Sequence, residues 1–122
     1  MQNDQSPSPA SPFAGLELLS SAVVLVDDEL IVRYLNPGAE NLFAASSRKI
    51  VGYSLRRLLG EPLGLANALN NVLRDNWSYT GHNLTVVRPG METLQLDCTV
   101  TPVDSVNARL LLEFRPMDAH LK

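Results

Sequence analysis

Between His82 and Pro102 the chain reads HNLTVVRPGMETLQLDCTVTP, and its second half alternates with period two. Leu94, Leu96, Cys98 and Val100 fall on one side, and Thr93, Gln95, Asp97 and Thr99 on the other. Such alternation puts the apolar side chains on one face of an extended strand and the polar ones on the opposite face, a pattern no helix can use. Leu84 and Val86 alternate with Asn83, Thr85 and Val87 ahead of it, and Pro89-Gly90 supplies a turn, so the segment predicts a long antiparallel hairpin. ARLLLEFRP adds a further strand, with Leu110, Leu112 and Phe114 on one face and Leu111 and Glu113 on the other.

The first half holds two more strand-like runs in AVVLVDDELIVRYLNP. Val23 to Val26 is continuously apolar, as in a strand buried on both faces, and Asp27, Asp28 and Glu29 suit the tight turn of a hairpin. Asn36 before Pro37 predicts a helix start, with Asn as the cap and proline at the first position, and Ala39, Leu42 and Phe43 give that helix one apolar face. Ser46 or Ser47 suits the cap of a single helical turn, Gly52 a positive φ at its end, and Tyr53 to Leu58 a short edge strand. The main helix is expected from Leu63 to Asn76, opened near Pro62, tolerating Gly64 and carrying Leu65, Ala66, Leu69, Val72 and Leu73 along one stripe. Strands bunched at both ends with helices between them predict an α+β domain around an antiparallel sheet, rather than parallel crossover units.

A chain of 122 residues can bury a core without disulfides or metal, and its single cysteine, Cys98, excludes an internal disulfide framework and suits a reducing compartment. The formal charge is −3 with Arg56-Arg57 as the one close basic pair, which argues against nucleic acid or an anionic membrane as partner. MQNDQSPSPASPF has neither a basic n-region nor an apolar h-region, and no uncharged apolar run is long enough to cross a bilayer, so a cytoplasmic protein is expected. Residues 1–12 offer almost nothing to bury and are expected to be a disordered tail. From Phe13, FAGLELLSSA has Leu16 and Leu19 at the spacing of a brief amphipathic helix, either packed on its own domain or forming a self-association surface.

VVLVDDELIVRYLNPGAENLFAASSRKIVG resembles the first half of a PAS domain. It has a strand ending in Asp27, a turn, a strand ending in Asn36-Pro37, a helix with Leu42-Phe43, and then Val51-Gly52. Together with LLSSA before it, YSLRRLL after it and LLLEFRPMD near the end, it is similar to the amino-terminal sensor domain of nitrogen-regulation histidine kinases of the NtrB family. The resemblance implies a PAS fold, a five-stranded antiparallel sheet with short helices packed on one face, over residues 13–116, with 117–122 starting a linker to a kinase region absent from this sequence. It also implies a regulatory and dimerisation module in a dimeric cytoplasmic kinase that acts on a response regulator under a PII-type signalling protein. The alternative is a PAS receptor for a small molecule in a kinase, a transcription activator or a cyclase.

No catalytic residue is expected in this fragment. His82 and His120 lack the acidic and amide neighbours that phosphoryl transfer needs, and two histidines with one distant cysteine have no metal-ligand spacing. PAS relatives that hold haem or flavin use a histidine on the main helix or a reactive cysteine after the short helices; Cys98 instead alternates in phase with core positions, so no cofactor is expected. Leu25 or its strand neighbours, Tyr34, Leu42, Phe43, Leu69, Leu96 and Leu112 are the candidate pocket, and Phe13, Leu16 and Leu19 the candidate dimer interface. Asp27 and Asn36 read first as a turn residue and a helix cap, and Arg56 and Arg57 as solvated surface.

Overall fold

The computed structural model describes residues 21–60, 62, 64–87 and 90–117. The expected tail, the helix from Phe13 and the interface residues Phe13, Leu16 and Leu19 lie outside the described residues, as do His120 and the last linker residues. The strands are β1 (Ala22–Val26), β2 (Val32–Leu35), β3 (Tyr79–Val86), β4 (Leu94–Pro102) and β5 (Leu110–Pro116). Four short helices interrupt them between β2 and β3: α1 (Pro37–Phe43), α2 (Ser47–Ile50), α3 (Arg56–Leu59) and α4 (Leu65–Asp75). The sheet runs β2-β1-β5-β4-β3, antiparallel throughout, so β5 stands in its centre, paired with the first strand, β1.

The alternation read from β4 and β5 is the alternation the sheet uses. Leu96, Cys98, Val100, Leu110, Leu112 and Phe114 enter the core with at most 1% exposure, while Gln95, Thr101 and Arg115 look outward. Helices α1 and α4 close that face, Phe43 of α1 meeting Phe114 of β5 edge-on with ring centroids 5.2 Å apart. Strand β1 is buried on both faces, as its unbroken apolar run requires.

Asn36 fixes where β2 stops and α1 starts. In extended backbone (φ −80°, ψ 168°), its Oδ1 accepts from Ala39 N at 2.8 Å, the cap expected of Asn-Pro. The same oxygen accepts from Val23 N at 2.9 Å, and its Nδ2 donates to Ser21 O at 2.8 Å. The cap is thus also a clamp on the start of β1, and Asn36 is the one polar residue fully buried among the described residues. Glu40 continues the chain of ties: its carboxylate accepts from Ser47 N at 2.7 Å, joining α1 to the start of α2, and that bond holds its pKa below the ordinary value.

Two elements differ from expectation. Tyr53 to Leu58 is not an edge strand: only the segment around Ser54 bridges to Ile31 beside β2, and Arg56–Leu59 then turns into α3. Leu55, Leu58 and Leu59 are all buried, and their three- and four-residue spacing is helical, so burial of that stripe outweighs the strand-like alternation of YSL. The main helix begins after Gly64, not before it, because Gly64 sits at φ 80°, outside helical backbone.

Asn36→Ala is expected to lower stability by about 2–4 kcal/mol, since it strands two buried N–H donors and removes a cap. The urea midpoint measures it, with the slope of the transition unchanged.

Candidate functional site: a cleft between the β1–β2 turn and the α3–α4 connection

The β1–β2 turn is built by one carboxylate. Asp27 Oδ1 accepts from Glu29 N and Ile31 N, both at 2.9 Å, and Oδ2 accepts from Arg33 Nε at 3.0 Å and NH2 at 2.7 Å. Burial pushes the Asp27 pKa upward, but the hydrogen bonds from Ile31, Arg33 and Glu29, with the guanidinium charge, outweigh it and hold the carboxyl below its ordinary value. The turn forces Leu30 to φ 63°, a region leucine rarely adopts, and leaves its side chain between the core and an open cleft.

That cleft has a volume of about 570 Å³. Its walls are Glu29 and Leu30 of the turn, Leu55, Arg56 and Leu59 around α3, and Leu65, Asn67 and Leu69 on α4. Gly60 ends α3 at φ 69° and Gly64 precedes α4 at φ 80°, positive values that glycine adopts without strain, and both line the cleft. The lining is mostly apolar, with Glu29, Ser54, Arg56 and Asn67 as polar groups, which suits a small amphipathic molecule.

The seven expected pocket residues separate into two groups. Phe43, Leu69, Leu96 and Leu112 share the buried core, with Leu42 partly buried against it, but they fill that space with side chains, and only Leu69 also lines the cleft. Leu25 and Tyr34 belong to the other side of the sheet, which corrects their placement in the pocket. Val24 pairs with Leu35 and Leu112, all core residues, whereas Leu25 pairs with Tyr34 and Leu111 one step out of phase. Val24 and Val26, the neighbours of Leu25, join Ala22 as the β1 residues in that core.

Cys98 lies fully buried in β4, and burial pushes its thiol up to about 12 despite the Arg115 charge, so it is a packed core group and not a nucleophile. His82 is exposed beside Asp97, Nδ1 to Oδ1 3.5 Å. Among the described residues no group of three His, Cys, Asp or Glu is placed to hold a metal ion, and no helix is long and apolar enough to cross a membrane. Sequence reasoning missed the cleft walls Leu30, Leu55, Leu59 and Leu65; the paired glycines around Pro62 were the available signal.

The linkage of Asp27 has a definite sign. Its folded pKa is depressed, so the stability it contributes is present above the ordinary value of 3.8 and is lost as pH falls below it. Asp27→Asn is expected to be less stable than the parent at neutral pH and to lose less on acidification below pH 3.8, as followed by thermal unfolding across a pH series.

The sequence model for the PAS fold matches residues 12–117. The crystal structure of the PAS domain of nitrogen regulation protein NR(II) from Vibrio parahaemolyticus superposes with a TM-score of 0.75 at 33% identity, covering 90% of this chain and 99% of that one. The sensory histidine kinase/phosphatase NtrB of Vibrio alginolyticus is 38% identical over 109 residues, and that of Escherichia coli O157:H7 33% identical over 109 residues. Each alignment covers 88% of this chain but only 31% and 30% of the relative, so the chain spans under a third of these kinases. Five antiparallel strands in this order, four short helices on one face and a family match over nearly the whole described length lead to one conclusion: the chain belongs to the PAS family.

Proposed function

We propose that this chain is the sensor and dimerisation module of a cytoplasmic two-component histidine kinase/phosphatase controlling nitrogen-responsive transcription, with catalysis supplied by the rest of the parent protein. The observation that carries the reading is the 33% identity to the NR(II) PAS domain across 99% of that domain. The partners that follow are a second copy of the chain, a response regulator and a PII-type signalling protein.

The geometry supports a relay. Central strand β5 carries Phe114 against Phe43 and runs directly to Met117, whose N–H still donates to Gln95 O at 2.9 Å before the linker at 117–122 begins. Helix α1, clamped by Asn36 and packed on Phe114, cannot shift without moving the strand that leads toward the kinase region. Signalling then requires two arrangements of this unit, one of which a partner prefers. Phe13, Leu16 and Leu19 are assigned to the two-fold interface. Leu16→Glu with Leu19→Glu is expected to give a folded monomer in sedimentation velocity, and a dimer unchanged by both charges would place the interface elsewhere.

A second reading, a receptor for a small amphipathic molecule, rests on the cleft of about 570 Å³. Ala66, exposed on the first turn of α4, lines it. If the cleft is a receptor site, native mass spectrometry finds a reproducible added mass per subunit that Ala66→Trp removes without lowering the melting temperature; a chain of bare mass from fresh lysate removes this reading.

A further inference from the structure

We propose that the surface carrying Arg48, Lys49, Tyr53 and Arg57 is a docking site for an acidic segment of a partner protein. It goes beyond the sensor reading and stands whether or not that reading holds. Residues 41–60 contain four of the ten Lys and Arg and none of the thirteen Asp and Glu, which leaves six cations against thirteen acids, a balance of −7, on the rest of the chain. The positive charge is therefore concentrated on one stretch of an otherwise acidic molecule.

The fold keeps that stretch together and outward. Tyr53 N donates to Ile50 O at 3.0 Å, so the turn after α2 returns Tyr53 to the end of the helix that carries Arg48 and Lys49. The Arg57 guanidinium then lies over the Tyr53 ring, 4.4 Å from its centroid. Arg48, Lys49, Tyr53 and Arg57 are all exposed, and Val51 adds an exposed aliphatic group between them.

Its backbone is anchored along the free edge of β2 and β1–β2 turn, with Gly52 N to Val32 O and Val32 N to Tyr53 O both at 2.8 Å, and Leu55 N to Leu30 O at 2.8 Å. A rigid base and a stacked guanidinium reduce the ordering cost of binding. Three of the other described cations have acids beside them: Arg33 meets Asp27, Arg74 meets Asp75 and Arg115 approaches Glu113. Among the described residues no carboxylate stands within ion-pair distance of Arg48, Lys49 or Arg57. Glu40, the last acid before the segment, stays ionised with its carboxylate directed at Ser47 N.

The occupant follows from charge and composition. An extended polyanion such as duplex DNA or an anionic bilayer would also be repelled by the −7 balance of the rest of the chain, whereas a short peptide needs only the basic stretch. Tyr53 and Val51 favour a peptide in which apolar residues alternate with the acids.

The test is fluorescence anisotropy of the 122-residue chain with a short labelled peptide of Glu, Asp and Leu, compared with duplex DNA and phosphatidylserine vesicles. Binding is expected to weaken with salt and to fall about tenfold in Lys49→Glu/Arg57→Glu, with little change in Arg74→Glu/Arg109→Glu, which alters net charge equally on other exposed positions. No binding, equal loss in both double variants, or tighter binding of DNA or vesicles overturns the proposal. Should the first variant lose its circular-dichroism signature, Lys49→Gln/Arg57→Gln carries the same comparison.

Discussion

The side chain of Asn36 is the constraint on which the arrangement of strands and helices depends. It needs an acceptor that reaches two backbone N–H groups and a donor that reaches a carbonyl, all within a fully buried space. Aspartate would supply the acceptor but bury a charge and lose the donor; serine has its donor and acceptor on one short-armed oxygen, where asparagine spreads them over two atoms; glutamine is a methylene too long for a cap. With the amide in place, the start of β1, the end of β2 and the first turn of α1 form one unit. Pro37 then gives up no hydrogen bond, since the N–H it lacks is one the helix start would leave unpaired.

How much of this was legible follows from where the sequence pattern is one-sided. Strands β4 and β5 are buried on one face, so their alternation names the inward residues, and Leu96, Cys98, Leu112 and Phe114 lie where it puts them. Strand β1 is apolar at every position, so nothing in it distinguishes inward from outward, and a choice of Leu25 over Val24 is a one-residue slip that moves a side chain through the sheet. Tyr34 is the register partner of Leu25 and lies on the same side of the sheet. The α3 segment was ambiguous for the opposite reason: Leu55, Leu58 and Leu59 support a helix, yet Tyr53 and Leu55 alternate as a strand would, and four residues are too few for the period to decide.

The cleft was not legible from apolar pattern, because its walls come from three separate segments and its opening is made by backbone. The positive φ of Leu30, Gly60 and Gly64 is a conformational fact that hydrophobicity does not report. The core behind it could be anticipated, and its packing explains why the interior is not the cavity: Phe43, Phe114 and the leucines occupy it.

These differences in attachment divide the helical layer into a fixed part and a softer one. Helix α1 is held by the directional bonds of Asn36, by Glu40 to α2 and by the Phe43–Phe114 contact. Helix α4 has no side-chain cap at its start; there Leu65 N donates to Pro62 O at 3.1 Å, and Leu65 and Leu69 pack into the core. Apolar contact is non-directional and tolerates sliding where a hydrogen bond does not. A partner on the basic stretch beside α3, or a molecule in the cleft, would therefore act first on α3 and α4. The sheet feels that change through the contacts of α4 with β3 and β4, and β4 is hydrogen-bonded to the strand that runs out at Met117. A displacement of α4 thus meets the central strand β5 through one intervening strand, β4.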